Sequence, residues 1–417
     1  MLIKHKVKVL VGLLVLAVGI VMWPAYEYFA YKGKIGFPAF YQFIEIPNDS
    51  PSTQLVHNKR YAQAGIKALE LLTQHKTSIN APAISAAVAI DGEIVWAGAS
   101  GWADIEAEIP VTTETQFRIG STSKALTATA LTRMVDGKLI NIDKPISAYM
   151  HDLPNANWYN ITPRQLVSHM AGLPHYKENT DYLGLYKTMS LSSRFEQVED
   201  ALEVFDGSEL LFEPGTQFSY STFGTVLLSA VMQSAAGLPY LDIMQQQVFD
   251  PLKMTATMAE FKIENKQNLA AFYWNNEGRT DQVRKWRKVD LSHRLAGGGF
   301  VSTSSDLVKM GSAYLQDDFI SVKTRNIFWT PQTLPDGNKT PGNYALGWRV
   351  LRGNIDDDMP EITFANHGGV SRGAQSWLMV IPEYKMCVAV NINANTDEFW
   401  DFGKVSMLLA KLFVLSH

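Results

Sequence analysis

Cysteine is almost absent from this chain. Cys387 stands alone among 417 residues, so no intramolecular disulfide can form. Its neighbours Met386, Val388, Ala389 and Val390 mark it as a small buried hydrophobe rather than a reactive thiol. Charge is modest in amount and nearly balanced. Asp, Glu, Lys and Arg make up 19% of the residues and the formal net charge is −4, which leaves out the basic footprint of a nucleic-acid binder. The densest basic run, Arg284-Lys285-Trp286-Arg287-Lys288, reads as a solvated surface face. Internal repeats and low-complexity tracts are missing. His169 and His175 have no neighbours at ligand spacing, so a zinc role is not expected and both read as structural or exposed. What remains is 46% hydrophobic, ordinary for a globular protein with a large core.

The long hydrophobic run lies at the N-terminus. Lys4, Lys6 and Lys8 precede an apolar stretch from Val9 to Trp23, about 15 residues against the roughly 20 a spanning helix needs. Continuing through Tyr26, Tyr28, Phe29 and Tyr31 supplies the length. Glu27 then falls near the far interface and the aromatics form an interfacial belt. A cleaved signal peptide is the competing reading. Ala17-Val18-Gly19 offers small residues but leaves a very short apolar core, and the surroundings of Pro24 are bulky, so an uncleaved anchor over residues 1–31 is favoured. Lysines on the short side keep that side cytoplasmic and place the rest outside. The expectation is a single-pass protein of a bacterial inner membrane, with its main domain in the periplasm or outside the cell.

Residues 32–54 are rich in Gly, Pro, Asn and Ser and read as a tether, and 55–417 as the folded domain. A helix is expected from Gln54 to Lys76 with Ile66, Leu69 and Leu72 on its inner face. Two strands, Ile84–Ile90 and Glu93–Gly98, flank Asp91-Gly92, which suits a type I′ turn. Gly137 should cap the helix that follows Ser121. Residues 140–290 carry mainly helical patterns, including Thr162–Met170 and Thr222–Gly237. Strand patterns return at Tyr344–Leu351, Gln375–Ile381 and Lys385–Ile392. A last helix is expected over Thr396–Leu415, with Val405, Leu408, Leu409 and Leu412 inward. The order predicts an α/β (α+β) architecture: one antiparallel sheet built from both chain ends, flanked by helices, with an inserted helical subdomain.

Chemistry concentrates in three segments. Ser121-Thr122-Ser123-Lys124 places a hydroxyl and an amine one helical turn apart. A chain of this length holds roughly one or two S-x-x-K strings by chance, so context decides. Gly120 permits a sharp entry into a helix whose N–H groups favour an oxyanion. Ala125, Leu126, Ala128, Ala130 and Leu131 bury that helix, so Lys124 needs a polar reason to be there. The second segment sets Tyr220 between Pro214-Gly215 and an apolar helix starting at Thr222. The third is Asn366-His367-Gly368-Gly369-Val370, where adjacent glycines let a substrate backbone approach a strand.

In this order and at these spacings the segments resemble the serine β-lactamase and penicillin-binding-protein superfamily, whose motifs are S-x-x-K, Y-x-N or a variant, and K-T-G or H-x-G. The likeness is to its class C-like branch of DD-peptidases, D-aminopeptidases, family VIII esterases and mitochondrial β-lactamase-like proteins. Ile161-Thr162-Pro163-Arg164-Gln165-Leu166-Val167-Ser168-His169, Asp250-Pro251-Leu252, Ala296-Gly297-Gly298-Gly299-Phe300 and Tyr344-Ala345-Leu346-Gly347-Trp348 extend it over most of residues 80–392.

The resemblance implies a β-lactamase/transpeptidase-like fold and a serine hydrolase acting on amides or esters through an acyl-enzyme. It implies Ser121 as nucleophile, with Lys124 and Tyr220 as a proton-transfer pair in which the ammonium lowers the phenol pKa. Ser121 N–H and one from the strand, Val370, would form the oxyanion hole beside Gly368 and Gly369. His367 would touch the Tyr220 network or a substrate carboxylate. No cofactor or metal is implied, and a homo-oligomer is left open. Thr222 stands where the pattern has an asparagine that binds the substrate amide, and His367 where it has a lysine. Both count against efficient β-lactam hydrolysis. A low-activity or non-catalytic scaffold or binding protein on the same fold, or a true β-lactamase, is the alternative. Lys339-Thr340-Pro341-Gly342 imitates K-T-G but reads as a loop.

Overall fold

A computed structural model describes residues 2–416, apart from 39, 265, 277–278 and 397. Side chains before residue 6, Lys4 among them, and those of 275, 276, 279 and 280 lie outside the description. The centre is an antiparallel sheet of strands β1 (Ser52–Val56), β2 (Ala83–Ile90), β3 (Glu93–Asp104), β4 (Arg349–Gly353), β5 (Ile362–Ser371), β6 (Ala374–Ile381) and β7 (Met386–Ile392). Their order is β4-β5-β6-β7-β2-β3-β1, with the short strand Ile109–Pro110 added to β3. Both chain ends therefore build one sheet, as the element order predicts. The junction is β7 against β2, from Met386 opposite Ile90 to Ile392 opposite Ile84. Asp91 (φ 53°) and Gly92 (φ 87°) turn β2 into β3, the positive φ pair that a type I′ hairpin requires.

Strands β2 and β7 are buried along their whole length, so they read as continuous apolar runs rather than as alternations. Alternate residues still serve opposite layers. Cys387 and Ala389 face a core shared with helices α3 (Ser123–Asp136), α4 (Thr222–Ala236) and α5 (Ser304–Ala313). Val388, Val390 and Ile392 face a second core, capped by α2 (Ala62–Ser78) and α6 (Val405–Val414). The Cys387 thiol is buried and burial raises its pKa, which fits the packing role.

The element boundaries shift in places. The expected helix from Gln54 begins only at Ala62, because Ser52–Val56 pairs with β3 as an edge strand. Ile66 and Leu408 point to solvent, while Ala68, Leu72, Val405 and Leu409 carry the contacts. Gly137 caps α3 in the right-handed region, and the positive φ falls on Lys138. Gly237 closes α4 at φ 64°. The Tyr344 segment forms only a bridge to Arg349 before β4 begins. Thr340 and the turn Pro341–Asn343 form a loop, as read. The insert is helical and irregular as far as residue 257. It then carries the hairpin Tyr273–Asn276 and Arg279–Lys285, so residues 140–290 are not wholly helical.

The N-terminal segment departs most from expectation. Helix α1 spans Leu2–Tyr31, and Lys6–Tyr31 is long and apolar enough to cross a bilayer by length and composition. Its side chains are exposed from Val7 to Met22, but Glu27 and Ala30 are buried against the domain. Residues 32–54 are no loose tether. Ile44–Glu45 pairs with the hairpin strand Arg279–Lys285, and Phe37 and Tyr41 pack edge-on against Trp274.

The basic run supplies the seat, so its reading as a solvated face is overturned. Arg287 pairs with Glu27 at 2.6 Å. Arg284 lies 3.6 Å from the Tyr41 ring centroid. Lys285 pairs with Asp104, and Trp286 is buried. Sequence shows charge density but not the aromatic surfaces that those side chains cover.

Candidate functional site

Ser121 sits in a single 3-10 turn, Gly120–Thr122, that leads into α3. Gly120 has φ 48°, and a Cβ there would lie 2.6–2.7 Å from the Val370 backbone. A Cβ on Gly369 would lie 1.9 Å from Ile119 O and 2.9 Å from Ser121 N. Two glycines thus let β5 press directly against the start of α3, which no larger residue would permit. That contact sets the Val370 backbone against the turn that carries Ser121. Gly368 lies one residue further back, where a Cβ would meet the Phe399 ring at 2.6 Å.

Lys124 is 2% exposed. Its Nζ lies 3.2 Å from Ser121 Oγ, 3.0 Å from Thr222 Oγ1 and 2.9 Å from Gly297 O. No carboxylate is among these partners. Burial, reinforced by the charges of Arg294 and Arg349, holds its pKa well below the ordinary lysine value. A neutral amine has two N–H groups and one lone pair. Gly297 O and Thr222 Oγ1 can take the two hydrogens, which leaves the lone pair for the Ser121 hydroxyl.

Tyr220 stands across the site, with its ring centroid 4.8 Å from Lys124 Nζ. Burial raises its pKa to about 12, against the lowering effects of a hydrogen bond with Ser121 and the charge of Arg349. The expected direction, an ammonium that drives the phenol toward phenolate, is therefore reversed. Burial thus favours the neutral amine at Lys124 and the protonated phenol at Tyr220.

His367 is also placed differently. It is fully buried. Its Nε2 lies 2.9 Å from Tyr344 Oη and its Nδ1 lies 2.8 Å from Gly368 O. Since a carbonyl only accepts, Nδ1 carries the hydrogen and Nε2 accepts from the tyrosine. Burial, with Arg349 and Lys124 nearby, keeps it neutral. Both ring nitrogens are occupied, so contact with a substrate carboxylate is not what the structure shows. Its link to Tyr220 runs through Tyr344, whose ring lies 6.1 Å from that of Tyr220. Thr222 lines the cavity, but its hydroxyl is taken by Lys124.

Four residues outside the sequence-derived set belong to the site. His169, at φ 63°, packs 4.3 Å from the Tyr220 ring and accepts from Ser221 N–H at 3.3 Å. His175 accepts from Thr222 N–H at 3.3 Å, and burial lowers its pKa to about 3. Both fix the strand-like lead into α4. Gly297 supplies the carbonyl for Lys124, and a Cβ there would press on the Thr222 methyl at 2.7 Å. Arg349 supplies field from β4, 6.0 Å from the Tyr220 ring. Gly297 and His169 lay in segments that carry the family resemblance, whereas His175 and Arg349 had no such signal.

A cavity of about 190 Å³ opens on Ser121, Thr222, Val370 and Arg294. A larger one, about 1080 Å³, lies between residues 103–118, 260–272 and 285–291. Its walls lack Ser121, and Arg118 and Glu260 close a two-pronged ion pair within it at 2.7 Å. Size alone does not mark the reactive centre. No cluster of three metal-ligating side chains occurs among the described residues.

The Ser121 hydroxyl, the buried Lys124 amine and the Tyr220 ring meet at one place in this fold. The chain belongs to the beta-lactamase family, whose model matches residues 69–410, and it is a serine hydrolase. It is similar to the human serine beta-lactamase-like protein LACTB, mitochondrial, with 30% identity over 78% of this chain and 73% of that one. Among solved structures it is similar to the D-amino acid amidase of Ochrobactrum anthropi, at TM-score 0.70 and 20% identity over 85% of this chain and 99% of that one. It is also similar to EstCE1, a hydrolase with promiscuous acyltransferase activity, at TM-score 0.68 and 20% identity over 84% and 99%. These two likenesses establish the fold.

Proposed function

We propose that this protein hydrolyses amide or ester substrates through a Ser121 acyl-enzyme, with D-amino-acid peptides, peptidoglycan fragments and small esters as the substrate range. The observation that carries the reading is Lys124, buried without a carboxylate and 3.2 Å from Ser121 Oγ. Its neutral amine takes the hydroxyl proton as Oγ attacks the carbonyl carbon. The oxygen that becomes anionic is received by the Ser121 and Val370 amides. Collapse of the tetrahedral intermediate expels the leaving group, which takes a proton from the Tyr220 phenol. The ammonium of Lys124 then returns its proton to the Tyr220 phenolate across the site, where its Nζ lies 4.8 Å from the Tyr220 ring centroid, restoring amine and phenol. Water repeats the sequence to free the acid. His367 orients Tyr344 behind this array and stays outside the proton path.

Labelling the purified full chain with a fluorophosphonate probe tests the reading. Wild type is expected to label and Ser121→Ala not to. Absence of labelling in wild type, or equal labelling of both, overturns it in favour of a non-catalytic scaffold. For α1, the reading is a retained anchor in a bacterial inner membrane, with the domain outside the cytoplasm. Sequencing the N-terminus of membrane-fraction protein should find a start before Val9, and a start near Ile20 would refute retention.

A further inference from the structure

The cavity beside Ser121 is walled by cations with no anion to balance them. Arg294 is 5% exposed and Arg372 is 8% exposed. Both line the cavity, and Lys32 joins them from the residue after α1. None of the three takes part in an ion pair among the described residues. Arg294 reaches Tyr176 Oη only at 3.5 Å and Ser371 Oγ at 3.4 Å, and its Nε is buried without a partner. Arg372 rests over the Tyr31 ring at 4.7 Å, with Tyr28 and Trp286 further out. Aromatic faces soften the cost of burying a guanidinium but do not replace a counter-ion. Burial and the charges of Arg372 and Arg294 hold the Lys32 pKa below the ordinary lysine value.

The wall holding Lys32 is fixed. Tyr31 Oη donates to Asn395 Oδ1 at 3.0 Å and lies 3.3 Å from Ser371 O. Glu27 is held by Arg287 one turn earlier. The end of the apolar helix is thus part of the cavity, and the exposed apolar stretch Val7–Met22 leads away from it. A buried, unpaired cation pair next to a nucleophile is stabilised when an anion enters and desolvates with it.

We propose that the Ser121 cavity takes acyl substrates carrying a carboxylate or phosphate, seated on Arg294 and Arg372, with Lys32 completing the seat at the mouth nearest the apolar helix. The proposal rests on the acyl-enzyme reading and names its substrate class. An anionic group held there leaves the carbonyl to Ser121, and the bond changes are those of the hydrolysis already described.

The test uses the full chain in zwitterionic detergent. Two pairs of esters are compared, 4-nitrophenyl hydrogen succinate against 4-nitrophenyl butyrate, and 3-carboxyphenyl butyrate against phenyl butyrate. In at least one pair kcat/KM for the anionic member should exceed the neutral one about tenfold. Arg372→Gln should bring that ratio near one, Arg372→Lys should keep most of it, and Lys32→Gln should lower it several-fold. Lys32 lies at the cavity mouth, so its variant reports on the seat even where a core arginine change disturbs folding. Ratios near one in both pairs, with Ser121 still labelled by a neutral fluorophosphonate, overturn the anion seat alone. So does a high ratio unchanged in both Arg372→Gln and Lys32→Gln. No labelling and no ester turnover overturns the acyl-enzyme reading and this proposal with it. The source of the anion follows from a third arm. Competition by phosphatidylglycerol vesicles but not phosphatidylcholine assigns a lipid headgroup, and a preference unaffected by either assigns a soluble acid.

Discussion

Lys124→Met removes the amine while keeping a side chain of similar length and volume. The wild-type lysine is uncharged in the fold over a range where the unfolded chain still binds its proton, because burial and two arginines hold its folded pKa below the ordinary value. The unfolded state therefore carries more protons than the native state between the lowered pKa and about 10.5. Stability of wild type rises with pH across that window, and the cost of the buried amine is fully present below the lowered pKa. Methionine carries no such proton. The difference in unfolding free energy between wild type and variant should climb by about 1.4 kcal/mol per pH unit in the window. With roughly 2 cal/mol/K of unfolding entropy per residue, that is about 1.5 °C in Tm per pH unit. The variant should also lose activity by about 10²- to 10⁴-fold, the range for removal of a general base. Paired thermal scans from pH 7 to 10 and fluorophosphonate labelling rates read both effects. A pH-independent Tm difference would show that Lys124 is protonated in the fold and would refute the neutral-amine mechanism, even if activity falls.

The pH profile of kcat/KM should show one rising limb, well below the ordinary lysine pKa, as Lys124 loses its proton, and no falling limb from Tyr220 until pH nears about 12; a falling limb that Tyr220→Phe abolishes near pH 8 would contradict the assignment. Gly369→Ala should destabilise the protein by about 2–4 kcal/mol in denaturant unfolding and abolish labelling, since its methyl would meet Ile119 O at 1.9 Å; a folded, fully active variant would show that the two amides are not held by this contact. Glu27→Gln leaves Arg287, which is one-third exposed, without its partner. The loss should be about 1–3 kcal/mol after allowing for solvent at the arginine. Limited proteolysis between residues 32 and 43 should speed up, and an unchanged rate would mean the helix end is seated by its aromatics alone.

How much could be read beforehand follows from the range of the forces involved. Strands β2, β3, β6 and β7 were legible because burial on both faces leaves uninterrupted apolar runs and Asp91-Gly92 marks the turn. Helix α4 was legible from its apolar length and Gly237. Strand β1 was not, because Gln54, Leu55 and Val56 suit a helix as well as an edge strand, and their pairing with Gly98, Ala97 and Trp96 is a long-range fact. Ile66 and Leu408 were assigned inward by helical spacing, yet the packed face of each helix is set by what lies opposite.

Ser121 and Lys124 stood out as candidates because one helical turn places them together, and Tyr220 only because its segment resembles a family pattern. Their charge states were not legible, since a pKa depends on every buried neighbour. Arg294 and Arg349 reach Lys124 from segments about 170 and 225 positions away. The same reason hid the roles of His169, His175 and His367, which only the packed site distinguishes. Sequence by itself determined the sheet's core strands, the S-x-x-K helix and the presence of an apolar N-terminal helix, all of which are written in local spacing. Tertiary structure alone decided that the Lys124 pKa is pushed down and the Tyr220 pKa up, and that the end of that N-terminal helix forms a wall of the cavity beside Ser121. Both depend on groups distant in sequence meeting in a space from which water has been excluded.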